Sequence, residues 1–479
     1  MNFSIIFYII GWILKIEAGL MLLPCATALV YRERSGICFL ITMAVCLAIG
    51  FPLTIRQPKK KVFYAREGFV TVALSWFIMS LMGAVPFVIS GSIPHVIDAV
   101  FETVSGFTTT GASILPDVEA LPHCMLLWRS FTHWIGGMGV LVFILAIVPL
   151  TGGYHMNLMK AESPGPSVSR LVPKVQATAK ILYMIYIGMT AVQMVLLFIT
   201  GMPLFDTICI SFGTAGTGGF GVLNASCGSY TTLQQIIITV FMILFGVNFN
   251  VYYLFLLKKI KQGLLVEEIR YYFGIIAVSI IAITINTASL FDNVFHAFQQ
   301  AAFQVGSIIT TTGYSTTDFD AWPVFSKTIL VMLMFIGACA GSTGGGIKVS
   351  RFVIMVKGVY KELMLYLHPN AVRKIKMDGK VVQHEVTRAT NIFMIVYIIV
   401  FAFSTLLISV DNFSFTTNFT AIAATLNNIG PGLEAVGPTQ NFAAFSGFSK
   451  VIMTFDMLAG RLELFPLLIL FFPNTWKKF

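Results

Sequence analysis

Four short stretches carry the residues that can do chemistry: TTTG (108–111), GTGG (216–219), TTTG (310–313) and NNIG (427–430). Their common currency is oxygen, from threonine hydroxyls and from the backbone. A ring of backbone carbonyls can replace the hydration shell of a K⁺ ion. Carbonyls aim inward along an extended loop only where some residues take unusual φ/ψ values, which glycine permits. The candidate glycines are Gly111, Gly218, Gly313 and Gly430, following Thr110, Thr217, Thr312 and Ile429. Thr109, Thr311 and Asn428 stand next in line along the same ladders.

The segments that must position these loops repeat one another. AVFETVSGFTTTG (99–111) and AAFQVGSIITTTG (301–313) agree at Ala, Phe, Ser, three Thr and Gly with identical spacing. DTICISFGTAGTGGFG (206–221) and NFTAIAATLNNIGPG (418–432) follow the plan more loosely, each an apolar helix-like run ending in small polar residues and glycine. Repetition of one unit along a chain is a signature of architecture. Non-helical backbone survives at membrane depth only where protein or a water-filled cavity shields it, so four re-entrant loops most economically surround one axis. The short helix before each loop would point its partially negative C-terminal end at that axis, which favours a cation. Asp117, Glu119, Asp318 and Glu434 would concentrate cations at the mouth.

Composition puts these loops in a membrane. The chain of 479 residues is 57% hydrophobic and 11% charged, whereas a soluble protein carries roughly a quarter charged residues. Ten spanning helices are expected, at about 5–30, 36–55, 67–91, 124–149, 178–201, 231–257, 271–291, 325–357, 391–411 and 447–475. The last eight pair up across connectors at 92–123, 202–230, 292–324 and 412–446. The expected fold is therefore an all-α membrane protein of ten transmembrane helices. Four pseudo-fourfold helix–pore loop–helix repeats surround one central pore, preceded by two extra N-terminal helices. The corresponding divisions are 1–60 for those two helices, 61–150, 151–265 and 266–360 for the first three repeats, and 361–479 for a cytoplasmic linker and the fourth.

Charge fixes orientation. Of the 31 Lys and Arg, 23 fall in five regions on one face, namely 56–66, 151–180, 258–270, 351–390 and 476–479. Such a bias marks the cytoplasmic side, and it leaves both termini there. The loop at Arg32 and Arg34 is the misfit. A net charge of +10 placed this way speaks for topology, not for nucleic acid. The first hydrophobic segment is not a cleavable signal, since no basic stretch precedes Ile5. Seven scattered cysteines suggest no disulfide framework. KIKMDGKVV (374–382) reads as two short strands around an Asp-Gly turn.

Two further features bear on permeation. AGSTGGGIK (340–348) interrupts the eighth helix, and each of its three consecutive glycines costs about 1 kcal/mol relative to alanine in a helix. It is either a gate, formed by Gly341, Ser342, Thr343, Gly344, Gly345, Gly346 and Lys348, or a packing kink. Arg461 lies within the last helix, where a charge usually faces a cavity or a partner. It is either an electrostatic barrier or the partner of Asp456 or Glu463. Arg129 and His133 are expected in a helix-packing network. Gly216, Gly218 and Gly221 fit G-x-G-x-x-G without the surrounding βαβ unit, and Lys348 does not directly follow a glycine as in a phosphate loop. No catalytic set is apparent, so the chain is not expected to be an enzyme.

On TTTGAS (108–113), AGTGGFG (215–221), TTTGYST (310–316), NNIGPGL (427–433), AGSTGGGIK, GRLELF (460–465) and HWIGGMG (133–139), the chain resembles the Trk/Ktr/HKT superfamily of K⁺ transporters, and within it the bacterial Trk type. The resemblance spans essentially the whole chain. It implies K⁺ as the transported ion, no covalently bound cofactor, and Gly111, Gly218, Gly313 and Gly430 as filter glycines. It assigns the gate to AGSTGGGIK and the pore barrier to Arg461. It further implies an inner-membrane homodimer with one pore per subunit, on which a cytoplasmic nucleotide-binding regulatory ring docks. An H⁺- or Na⁺-coupled secondary symporter is the alternative, since broken helices also occur there.

Overall fold

The computed structural model describes residues 1–58, 64–137, 139, 175–371 and 373–477. The chain is predominantly helical. Six described helices are long and apolar enough to cross a membrane: Phe3–Tyr31, Gly36–Ile55, Ala65–Ser90, Ala179–Ile199, Glu267–Leu290 and His384–Asp411. Gly36–Ile55 illustrates why. Twenty residues at ~1.5 Å each reach about 30 Å, the thickness of the hydrocarbon layer. The helix is apolar all round, and Ile37, Leu40 and Ile55 stand 59%, 54% and 75% exposed. Apolar surface left outward on this scale is what a lipid-facing helix presents.

Three of the four remaining expected spans are interrupted. Thr232–Phe245 and Phe249–Leu256 meet at a bend of 92° where a continuous helix is expected over 231–257. Gly246 ends the first, and the Asn248 side chain caps the second by accepting from the Asn250 N–H. In the expected span 325–357, Val324–Ile336 stops at Gly337, whose φ is +73°, and helix resumes only at Val349. The last span divides into Gly447–Arg461 and Phe465–Phe471 around Glu463 and Leu464, both at positive φ. Of the expected helix 124–149, His123–Gly137 is helical, and most of the remainder lies outside the described residues.

Four shorter helices alternate with these: Val96–Phe107, Leu204–Gly216, Val294–Ile309 and Phe415–Leu426. Each ends in one of the four oxygen-bearing loops. Two have side-chain N-caps, Asn293 accepting from the His296 N–H and Ser414 from the Thr417 N–H. The largest apolar cluster joins the N-terminal helices to the first and fourth short helices, through Ile9, Phe39, Phe101, Phe107 and Leu426. A second packs the third short helix against Glu267–Thr287 and Val324–Ile336. The hairpin expected over 374–382 forms, Lys376 opposite Val381 and Met377 opposite Lys380. Asp378 and Gly379 take φ of +51° and +74°, the geometry of a type I′ turn. The seven cysteines are free.

Candidate ion-permeation site

The four loops leave their helices in one way. Thr109, Thr217, Thr311 and Asn428 take left-handed φ of 55–57°. The next N–H reaches back into the helix: Thr110 to Ser105 O (2.9 Å), Gly218 to Gly213 O, Thr312 to Ser307 O and Ile429 to Ala424 O (2.8 Å each). One residue later come Gly111, Gly219, Gly313 and Gly430, with φ of +79°, +81°, +86° and +100°. Most residues are strained there, glycine is not.

This register corrects the reading of the second loop. Gly219, not Gly218, matches Gly111, Gly313 and Gly430; Gly218 takes the place of Thr110, Thr312 and Ile429. The physical reason is His133. A β-carbon on Gly218 would strike its imidazole ring, so the position accepts no side chain. Two consecutive glycines hid the register, and the doubling itself was the available signal.

The glycines interlock the loops in a closed circuit. A β-carbon on Gly111 would strike Gly218 O, on Gly219 Thr312 O, and on Gly313 Ile429 O. One on Gly430 would lie 2.8 Å from Thr110 O, which closes the circle. The carbonyls of Thr110, Gly218, Thr312 and Ile429 accept no hydrogen bond among the described residues. Buried carbonyls are normally paired, and these four are left open. Gly111, Gly219, Gly313 and Gly430 also line a 100 Å³ cavity together with Arg129 and Phe220.

Hydrogen bonds stiffen the loops from behind. Thr108 and Thr110 share a hydroxyl contact at 2.8 Å, and Thr310 and Thr312 repeat it at 2.8 Å. In the fourth loop Asn428 Nδ2 donates to Thr110 Oγ1 (2.9 Å) and to Met457 O (2.8 Å), tying that loop to the first and to the helix Gly447–Arg461. Tyr397 Oη donates to Asn427 Oδ1 at 3.0 Å. Arg129 and His133 belong to this scaffold. Arg129 pairs with Glu102 at 2.8 Å, both essentially buried, and Glu102 Oε2 accepts the Ile114 N–H at 2.9 Å. His133 Nδ1 lies 2.7 Å from Gly106 O, and its Nε2 accepts the Phe220 N–H at 3.2 Å. One arginine and one histidine thus hold the first two loops against each other. Glu102 escaped notice in the sequence because the matching position of the third repeat is Gln304. Removing one partner of a buried ion pair costs ~3–5 kcal/mol, so Arg129→Met should lower the melting temperature of the detergent-solubilised protein by several degrees. An unchanged melting temperature would show that this pair does not brace the loops.

At the mouth, Asp117 Oδ1 accepts Asn224 Nδ2 (2.8 Å), and Glu119 accepts the Asn224 N–H (2.9 Å). Asp318 caps a short turn through the Asp320 N–H. A hydrogen bond from Ser414 holds the Glu434 carboxyl below its ordinary pKa, so it stays anionic at neutral pH.

On the other side of the loops lies the interrupted helix. Gly345 N–H donates to Thr311 Oγ1 at 2.6 Å, and Gly346 N–H to Asn427 O at 3.1 Å. The Gly341 carbonyl accepts the Phe249 N–H at 3.0 Å, Ser342 Oγ donates to Cys339 O at 2.7 Å, and buried Lys348 Nζ donates to Gly344 O. Arg461 reaches the same layer. Its guanidinium donates to Thr343 O (2.9 Å), Thr109 Oγ1 (3.3 Å), Gly136 O (2.5 Å) and Gly137 O (2.9 Å). Of the acids weighed as its partners, Glu463 pairs with Arg351 at 2.5 Å and Asp456 accepts from Ser404 at 2.8 Å.

Residues 35–478 match the family model described as TrkH, cation transport protein. The chain is 38% identical to the Trk system potassium uptake protein TrkH of Salmonella typhimurium, over all of both chains. It is 32% identical to the Trk system potassium uptake protein TrkG of Escherichia coli, over 99% of each. The crystal structure of the potassium transporter TrkH from Vibrio parahaemolyticus superposes with a TM-score of 0.90 at 34% identity, covering all of both chains. These relatives are named as transport proteins, not enzymes. With the helical architecture and interlocked loops, the matches establish that this chain is a membrane protein of the TrkH cation transport family.

Proposed function

We propose that the chain is a K⁺-selective uptake pore of the inner membrane, with ten spans and four pseudo-fourfold repeats around one axis. The observation that carries this reading is the circuit of glycines, each seated on a neighbouring loop's open carbonyl. Thr110, Gly218, Thr312 and Ile429 supply carbonyl oxygens to a dehydrated K⁺, with Thr109, Thr217, Thr311 and Asn428 one step deeper. The fourth loop lacks threonine, so the cage is chemically uneven and discriminates less sharply than four identical loops would. The 341–348 loop and Arg461 close the path beneath, and Lys348 anchors the loop to itself. The TrkH and TrkG relatives are named as Trk system potassium uptake proteins, which supports the same cargo. The same family reading extends to a homodimer with a pore in each subunit and to regulation by a cytoplasmic nucleotide-binding ring on the basic face.

The test is cation flux into liposomes holding the purified protein, with Rb⁺ as tracer for K⁺. Rb⁺ entry is expected to exceed Na⁺ entry by at least about tenfold, a difference of ~1.4 kcal/mol, and to ignore an imposed proton gradient. Flux that requires H⁺ or Na⁺ on the same side would replace the pore by a coupled symporter.

A further inference from the structure

We propose that the consecutive residues Glu267 and Glu268 form a rigid link between the cytoplasmic hairpin and the intramembrane loop 341–348, with Glu268 setting the loop's closed position. The inference rests on the gate reading above and adds the parts that hold the gate.

Glu268 is 4% exposed, in the first turn of Glu267–Thr287. Its Oε1 accepts two backbone N–H groups, from Ala340 at 2.7 Å and from Ser350 at 3.1 Å. Those residues flank the loop on either side. A single carboxylate oxygen therefore pins both ends of a segment whose glycines give it little stiffness of its own. Charge-assisted bonds of this kind are roughly twice as strong as neutral ones. Without the carboxylate, two buried N–H groups would lose their acceptor, which costs more than the bonds contribute.

Glu267 faces the other way. Its N–H donates to Asp378 Oδ1 at 2.7 Å, and its Oε2 accepts the Asp378 N–H at 3.1 Å. The same Oε2 accepts from Lys357 Nζ at 2.7 Å, and Lys357 also donates to Lys376 O at 2.8 Å. Asp378 is the first turn residue of the hairpin and Lys376 the first residue of its leading strand. Because adjacent residues of one helix turn make the two sets of contacts, a displacement of the hairpin moves the helix start that pins the loop. Arg373, Lys374, Lys376 and Lys380 give the hairpin region a basic surface on which an acidic protein partner can pull.

The experiment is Rb⁺ flux through the full-length protein in liposomes, without any partner. Glu268→Ala is expected to raise resting flux about tenfold. Glu268→Gln, whose amide oxygen still accepts both N–H groups, returns it towards the starting level; Glu268→Asp, one methylene short, leaves it raised. Asp378→Ala raises flux less, and combined with Glu268→Ala adds nothing further, since it acts through Glu268. If Glu268→Ala proves unfolded, the Asp and Gln variants carry the test. Equal flux for the Ala, Asp and Gln variants, in a protein whose flux does rise on deleting Gly344, Gly345 and Gly346, overturns the link and leaves the gate standing. Additive effects of Asp378→Ala and Glu268→Ala overturn the connection to the hairpin. No response to the glycine deletion overturns gate and link together.

Discussion

Gly219→Ala and Gly313→Ala should each reduce K⁺ uptake about a hundredfold while leaving the protein inserted and extractable. Two costs combine. A side chain at left-handed φ adds ~1–2 kcal/mol, and overpacking a filled site typically adds ~1–3 kcal/mol. Both fall on the loop, because the colliding atoms are Thr312 O for Gly219 and Ile429 O for Gly313. Those are two of the four carbonyls assigned to the ion. Gly91 provides the control: its φ is +74°, yet no atom lies within 4 Å of an added β-carbon. Gly91→Ala should therefore keep normal uptake. Normal Rb⁺ uptake by the Gly219 and Gly313 variants, with Gly91→Ala behaving identically, would mean that the ring does not line the ion path.

The first and third loops were legible because TTTG is written twice at one spacing from a shared Ala, Phe and Ser, and the structure repeats their hydroxyl contacts. The second was legible as a unit but not in register, since Gly218 answers to a histidine more than eighty positions away in the chain. Hydropathy found the helices yet missed the 92° bend at Gly246, where the apolar run continues through the turn. Arg461 could be flagged as an intramembrane charge, but its acceptors are mainly backbone carbonyls, which every residue has and no sequence pattern marks. The two carboxylates near it in sequence have partners of their own that no sequence pattern marks, Arg351 for Glu463 and Ser404 for Asp456. Glu268 gave no signal at all, standing beside Glu267 at the start of an apolar helix like any N-terminal acid.

Arg461→Ala is the second large effect expected. The guanidinium sits between Thr109 of the first loop and Thr343 of the interrupted helix, and fastens Gly136 and Gly137 as well. On the proposed pore reading it acts in two ways. A unit positive charge ~4 Å from a passing cation costs it about 4 kcal/mol at an effective dielectric of 20. The fork also cross-links three segments around the path. Substitution removes both, so Rb⁺ flux should rise about tenfold or more. Arg461→Lys separates them: it keeps the charge but cannot reproduce a planar fork, so an intermediate flux is expected. Should Arg461→Ala fold normally and conduct no better than the unaltered protein, the residue is a strut and not a barrier.

All four loops of the circuit belong to one polypeptide. In a pore assembled from four separate subunits, one defective copy in each assembly suffices to poison it, and activity falls as the fourth power of the healthy fraction. On the proposed reading of one pore per chain, each chain stands or falls by itself. In cells expressing an impaired variant alongside the intact protein, uptake should decline in simple proportion to the impaired share, so loop mutations would not poison intact copies. The same independence frees each loop to diverge alone, and Asn428, already recruited to bind the first loop and the helix Gly447–Arg461, is what such divergence looks like.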